Sequence, residues 1–234
     1  MNLDIEAIIN DLTNNNINNL EQHNNSIAKR EDILASVIKL EKIKIFNVPT
    51  VMKNFNGICG LYYIKNYLSM YEINNIKNFI NDSIELKPIS ANNYSRRVAH
   101  FGYFYSYDRT GLKEAPAIPN ILQELANNKY INKLLDADIV PQFDQLIINE
   151  YQKNQQIAYH TDHKTLFGPV IACITIGQVV PIYFKNGDQE IKLNIEEGSM
   201  YIMTGDARYI WQHSLKNNCA GVRYSLTYRT VVKN

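Results

Sequence analysis

Two imidazoles and one carboxylate stand at a spacing that suits a metal ion. His160 and Asp162 lie at i and i+2, and His213 follows after a gap wide enough for several strands. On a strand or at its end, residues two apart point to the same side, so His160 and Asp162 can reach one ion. Two histidines and a carboxylate form a ligand set for non-haem Fe(II) that leaves one face of the octahedron free for a co-substrate and oxygen. Downstream, Arg223-Tyr224-Ser225-Leu226-Thr227-Tyr228-Arg229 sets two arginines six apart, an even spacing that places both on one strand face. Inward-facing arginines on an apolar strand need anions. A guanidinium fork binds a carboxylate bidentately, so a dicarboxylate chelating the metal would satisfy them. Asn149 and Tyr151, two apart, add hydrogen-bonding groups from a neighbouring strand.

The elements that must carry these residues are mostly strands. Leu146-Ile147-Ile148 leads into Asn149. Val170 to Ile176 is a near-continuous apolar run, as expected of a strand buried on both faces. Ile182-Tyr183-Phe184 and Ile191-Lys192-Leu193 flank Asn186-Gly187, a favoured hairpin dipeptide. Met200 to Met203 and Val222 to Val231 follow as further strands. Many strands with short polar turns and no interleaved helices predict an antiparallel sandwich.

Before residue 142 the pattern is mixed. Leu61-Tyr62-Tyr63-Ile64 predicts a short strand. Ser69-Met70-Tyr71-Glu72 matches a capping box, and the helix behind it aligns Ile73, Ile76 and Ile80 on one face. A loop from Ile84 to Tyr94 contains Pro88. Arg96 to Tyr107 combines two arginines with alternating aromatics. It reads either as core packing with solvated arginines or as a wall for stacking bases and contacting phosphates. Pro116 and Pro119 precede a second helix that turns Ile121 or Leu122, Leu125 and Ala126 to the core. At the N-terminus, Ile5, Ile8, Ile9 and Leu12 suggest a short amphipathic helix, followed by an Asn-rich tract. Glu31 to Lys44 has helical spacing.

The 234 residues are 45% apolar with a formal net charge of +1, which argues against a strongly cationic nucleic-acid binder but not against a local basic patch. No long uncharged apolar run predicts a transmembrane helix. The three cysteines, Cys59, Cys173 and Cys219, are widely separated and odd in number. They predict reduced thiols in an intracellular compartment, cytoplasmic or nuclear. Nine of the first 25 residues are Asn, a composition that carries no function by itself.

The ordered set resembles the AlkB-like Fe(II)/2-oxoglutarate dioxygenases over about residues 58–232. The resemblance rests on Asn149-x-Tyr151, His160-x-Asp162 with His213, Gly205-Asp206-Ala207-Arg208-Tyr209-Ile210-Trp211-Gln212-His213, and the Arg223-x-Ser225-x-Thr227-x-Arg229 end. Arg96-Arg97-Val98-Ala99-His100-Phe101-Gly102-Tyr103 also resembles this family, and within it the stretch from Arg96 to Asp108 looks closest to the oxygenase domain of the tRNA wobble-uridine hydroxylases. The resemblance implies an α+β, mainly β fold: a double-stranded β-helix (jelly roll) core over 142–232, N-terminal helices and a nucleotide-recognition lid over 46–141, and an extension over 1–45. It implies Fe(II) on His160, Asp162 and His213. It puts 2-oxoglutarate on Arg223 with Tyr151 and Ser225, and Asn149 and Arg229 near the metal-proximal carboxylate. O2 would complete the reaction, which releases succinate and CO2 while hydroxylating or demethylating a nucleic-acid base of RNA or DNA. Arg97, Tyr103, Tyr105, Lys164 and Arg208 are the expected substrate contacts. For Arg208 the alternative is a surface ion pair. DNA-repair members carry an acid where this chain has Lys164, and a cation there fits a cationic lesion poorly. A monomer with no membrane association is expected. A protein side chain or small molecule as substrate, or an inactive jelly-roll binding protein, are the competing readings.

Overall fold

A computed structural model of the chain describes residues 48–92, 95–106 and 111–233. The two N-terminal helix expectations lie outside the described residues. The chain divides into two units, Met1–Phe46 and Asn47–Asn234, and the second holds everything described below.

Fourteen strands are built from the described residues: β1 Thr50–Met52, β2 Leu61–Lys65, β3 Lys87–Pro88, β4 Arg97–Phe101, β5 Tyr103–Tyr105, β6 Leu112–Glu114, β7 Gln145–Tyr151, β8 Gln156–His160, β9 Ile171–Gly177, β10 Pro181–Asn186, β11 Gln189–Asn194, β12 Met200–Met203, β13 Gln212–Lys216 and β14 Arg223–Arg229. They form an eight-stranded sheet ordered β1-β2-β12-β9-β14-β7-β4-β3, a four-stranded sheet ordered β11-β10-β13-β8, and a separate β5-β6 hairpin. The helices are α1 Met70–Ser83, α2 Asn120–Glu124, α3 Asn128–Leu135 and α4 Gly205–Tyr209. The two larger sheets are antiparallel throughout, in keeping with the predicted jelly roll. Strands from both sides of residue 142 share the large sheet.

One apolar cluster lies on each face of that sheet. Ile148, Ile174, Leu226 and Tyr228 pack with Ile73, Ile76 and Ile80 of α1 and with Leu122, Ile131 and Leu135. On the other face Ile171, Cys173, Tyr201 and Met203 pack with Ile182, Phe184 and Leu215 of the small sheet. Strands β7 and β14 are therefore buried on both faces along their whole length. This is why neither shows a solvent-facing polar row.

The helices are tied to the outer face by phenols. Tyr228 Oη donates to the Leu122 carbonyl at 2.8 Å, Tyr67 Oη to Leu125 at 2.7 Å, and Tyr224 Oη to Asn81 Oδ1 at 3.0 Å. Buried Tyr supplies apolar area and a polar tip that must find a partner. The capping box forms as predicted: Glu72 N–H donates to Ser69 Oγ, and Glu72 Oε2 accepts from Ser69 N–H at 2.7 Å.

Three local expectations shift. The β10–β11 hairpin pairs Asn186 with Gln189, so its loop is Gly187-Asp188, one residue beyond Asn186-Gly187; Gly187, at φ 58°, takes the first loop position. The second helix is two: α2 buries Leu122 and exposes Ile121, and α3 starts at an Asn127 cap whose side chain accepts from Tyr130 N–H. The aromatic stretch from Arg96 is broken at Gly102 into β4 of the large sheet and β5 of the hairpin.

Gly102 makes that hand-over possible. Its φ is +71°, and a Cβ there would run into the Asp144 carbonyl oxygen. Its own N–H and C=O bond Pro116 and Ala115 at 2.7 and 3.0 Å, so the hairpin is anchored at its base. Gly102→Ala is expected to cost at least about 1–3 kcal/mol from backbone strain alone. A chemical-denaturation midpoint measures it, and a midpoint equal to the parent's would remove the steric account of this corner.

Candidate metal and co-substrate site

The small sheet delivers the imidazoles. His160 ends β8 and pairs directly with His213 of β13, so both rings leave the same face of the small sheet; a register shift follows between His213 and Leu215. The ring centroids are 4.3 Å apart. Asp162 lies just beyond β8, in the turn leading to β9. The three potential ligand atoms all fall within 4.8 Å of one another, and His213 Nε2 is 3.6 Å from Asp162 Oδ2. His160 Nδ1 lies 2.8 Å from the Ala158 carbonyl. Donation there leaves the Nε2 lone pair for a metal, the usual way a ligating imidazole is oriented. The His213 ring is instead fixed by packing between His160 and Phe184.

Protonation states match that role. Burial, with the nearby His160, pulls His213 down to about 3, and burial also lowers His160. Both imidazoles are thus neutral ligands at neutral pH. Burial alone would raise the Asp162 carboxyl, but Arg229, then His213, His160 and Arg208, hold it well below the usual carboxylate range. Arg229 spends both Nε (2.7 Å) and Nη2 on Asp162 Oδ1, which leaves Oδ2 toward the imidazoles. Its Nη1 donates to Gln145 Oε1 at 3.2 Å, and its guanidinium lies 4.8 Å from the Phe167 ring centre.

The large sheet supplies the rest. The alternation of β14 turns Arg223, Ser225, Thr227 and Arg229 inward while Tyr224, Leu226 and Tyr228 face the helices. Asn149 of β7 pairs with Ser225 in register and donates to its Oγ at 3.3 Å. Arg223 is fully buried. Its Nη2 donates to Thr175 Oγ1 at 2.8 Å, while Nε and Nη1 have no hydrogen-bond partner among the described residues. A guanidinium with two unpaired donors aimed into a cavity is what a carboxylate requires. The residues therefore fit both Fe(II) and a 2-oxoacid with a distal carboxylate.

His160, Asp162, His213, Asn149, Tyr151, Arg223, Ser225, Arg229 and Tyr105 all line one cavity of about 340 Å³. The other expected substrate contacts do not. Arg97 turns to the helix side of the sheet, where it grips Glu150 through two 2.7 Å bonds. Neighbouring residues of an extended chain face opposite sides, and it is Arg96 that reaches the cavity, its Nε donating to Asn149 Oδ1 at 2.7 Å. Tyr103 lies outside the lining, and Lys164 is exposed on the turn after Asp162. Arg208 is neither at the cavity nor on the surface: it is 1% exposed and bonds backbone carbonyls.

Thr175, Tyr201 and Phe167 join the site without having been singled out by sequence. Thr175 was hidden in an apolar run. A polar residue at an inward position of a doubly buried strand is the signal that could have marked it. Phe167 carries Arg229 on one side and packs against Tyr105 with centroids 5.6 Å apart on the other.

Among known proteins, residues 60–229 match the model of the 2OG-Fe(II) oxygenase superfamily. An uncharacterised protein of Acanthamoeba polyphaga mimivirus is 28% identical over 199 residues, 78% of this chain and 90% of the viral one. The tRNA (carboxymethyluridine(34)-5-O)-methyltransferase ALKBH8 of Macaca fascicularis is 29% identical over 121 residues, 51% of this chain but only 18% of ALKBH8. The structure of OsALKBH1 superposes with TM-score 0.59 at 16% identity, over 73% of this chain and 96% of that one. No helix among the described residues is long and apolar enough to cross a membrane. With the ligand cluster, the unpaired Arg223 donors and the family match all on the same stretch, the chain belongs to the 2OG-Fe(II) oxygenase superfamily as an AlkB-like dioxygenase that uses Fe(II), 2-oxoglutarate and O2.

Proposed function

We propose that the enzyme hydroxylates or oxidatively demethylates a nucleic-acid base, with RNA favoured over DNA. The observation that carries this reading is the aromatic pair of Tyr105 and Phe167, which lines the same cavity as the metal ligands. An enzyme that does chemistry on a base must take it out of the stack and hold it against aromatic side chains. The match to ALKBH8, named for a tRNA uridine position, supports RNA. Among the described residues, three guanidiniums, Arg96, Arg223 and Arg229, face the cavity against one carboxylate, Asp162. After a dianionic co-substrate engages Arg223, a neutral base with acceptor oxygens suits the remaining field better than a cationic lesion.

In this reading His160, Asp162 and His213 hold Fe(II). Arg223, steadied by Thr175, takes the distal carboxylate of 2-oxoglutarate with Tyr151 and Ser225. Asn149 and Arg229 border the proximal one. When bound, the iron, co-substrate and O2 supply the oxidation of a C–H bond with release of succinate and CO2. The chain's own residues position the carbon, neutralise charge and keep water out.

Nucleoside mass spectrometry of RNA and DNA treated with enzyme, Fe(II), 2-oxoglutarate and O2 tests the substrate class. A hydroxylated or demethylated nucleoside is expected, chiefly from RNA. Succinate release driven only by a protein or small molecule would overturn the base reading. Binding to single-stranded RNA should weaken as salt rises, because phosphate contacts release counterions. A salt-independent affinity contradicts it.

His160→Ala is expected to abolish 2-oxoglutarate decarboxylation while the circular dichroism of the fold persists. Asp162→Ala should lose decarboxylation and stability together, because it strands the buried Arg229 charge, a change that typically costs about 3–5 kcal/mol. Turnover at the parent rate in either variant rejects the ligand assignment. Arg223→Ala should raise the 2-oxoglutarate requirement about 10- to 100-fold, as expected from losing a charge-assisted pair of ~1.5–3 kcal/mol. A steady-state titration with an unchanged half-saturation point removes Arg223 from co-substrate binding.

A further inference from the structure

We propose that Arg208 is a positioning residue for the metal. It fixes the Asp162 carboxylate and the Phe167 wall by clamping the backbone that carries both. This rests on reading His160, Asp162 and His213 as the metal ligands, and goes beyond it by assigning a role to a side chain outside the cavity.

Arg208 sits on α4, the short helix that leads directly into β13 and His213. Its side chain crosses to the other ligand-bearing segment. Nη1 donates to the carbonyl of Asp162 at 2.9 Å, Nη2 to that of His163 at 2.9 Å, and Nε to that of Gly168 at 3.4 Å. One planar fork therefore holds both ends of the turn 162–168. Arg suits this use because its donors are fixed in one plane and cannot lose their charge. The choice is costly for packing alone: a cation 1% exposed, bonded to neutral carbonyls, is a poor substitute for an apolar side chain. The cost is explained if those carbonyls must stay in place.

Two consequences of the clamp reach the site. At the near end, fixing the Asp162 backbone sets the direction in which its side chain leaves, so Oδ1 meets Arg229 and Oδ2 meets His213. At the far end, Gly168 N–H donates to the Thr230 carbonyl at 2.9 Å, which anchors the turn to the chain just beyond β14. Phe167 is thereby held under Tyr105 and over Arg229. The same side chain ties the turn bearing the second ligand to the helix preceding the third. A metal ion requires that those two segments keep a constant distance.

The test uses the full chain without metal, and Mn(II) as a redox-silent probe followed by electron paramagnetic resonance of the free ion. Arg208→Met is expected to weaken Mn(II) binding about 10- to 100-fold, the range for losing a group that orients a metal ligand. Arg208→Lys should fall between it and the parent. Hydrogen exchange of the metal-free protein should accelerate across residues 162–168 in Arg208→Met. Asn132→Ala is the control. Asn132 bridges the Ile139 and Val140 backbone on the helix side of the large sheet, so its loss should lower the melting temperature yet leave Mn(II) affinity and exchange at 162–168 unchanged. If Arg208→Met binds Mn(II) within twofold of the parent with unaltered exchange, the clamp is a packing feature and the proposal is overturned. If Arg208→Met does not fold, Arg208→Lys decides the matter by the same two readouts. A parent that binds no Mn(II) would sink the metal reading and the clamp together, whereas a parent that binds beside an equally competent variant sinks the clamp alone.

Discussion

The site is organised by buried positive charge in excess of its protein partners. Among the described residues Asp162 is the one carboxylate lining the cavity, and Arg229 already claims one of its oxygens. Arg223 lies fully buried, and among the described residues the Thr175 hydroxyl is its one side-chain hydrogen-bond partner. A guanidinium in that position would be a large liability in a protein that only had to fold. Together with two neutral imidazoles, it makes sense as half of a site whose other half is a dianion chelating a cation. Each remaining feature of the sandwich keeps these groups dry, fixed and facing one another.

The two faces of the large sheet divide that labour. On β7 and β14, odd-numbered positions carry the chemistry and even-numbered positions carry the fold. Leu146, Ile148, Leu226 and Tyr228 pack against the helices, while Asn149, Tyr151, Arg223 and Ser225 line the cavity. Two of the phenols that fasten the helices, Tyr224 and Tyr228, thus sit on β14 beside the co-substrate residues, one residue out of phase. Rigidity needed by the site is supplied directly behind it, by the hydrogen bonds of Tyr228 to the Leu122 carbonyl and of Tyr224 to Asn81. A site on strands backed in this way is held more precisely than one on loops.

Much of this was legible in the chain, for identifiable reasons. The His160-x-Asp162 spacing, the even separation of Arg223 and Arg229 and the capping box at Ser69 each depend on a short local pattern, and the structure places each accordingly. What could not be read depends on phase or on long-range pairing. Arg96 and Arg97 are adjacent, and only the register of β4 against β7 decides that Arg97 meets Glu150 and Arg96 meets Asn149. Thr175 looked like one more member of an apolar run until β14 brought Arg223 beside it. Arg208 stands five residues before a ligand, yet its partners lie some forty residues upstream on a turn without regular structure. The break at Gly102 was visible as a glycine but not as a change of sheet. Its cause is the close approach of Asp144, which no local pattern encodes.

The strict parity of β14 limits how this enzyme can vary. Removing or inserting one residue between Arg223 and Arg229 would swap the faces of everything beyond the lesion, driving a guanidinium among helix leucines and isoleucines and a tyrosine into the iron pocket. Changes in chain length are confined to the hairpin ends and turns, and drift within the strand must proceed by exchange of one side chain for another. The seven residues of β14 therefore tolerate substitution far better than any change of length.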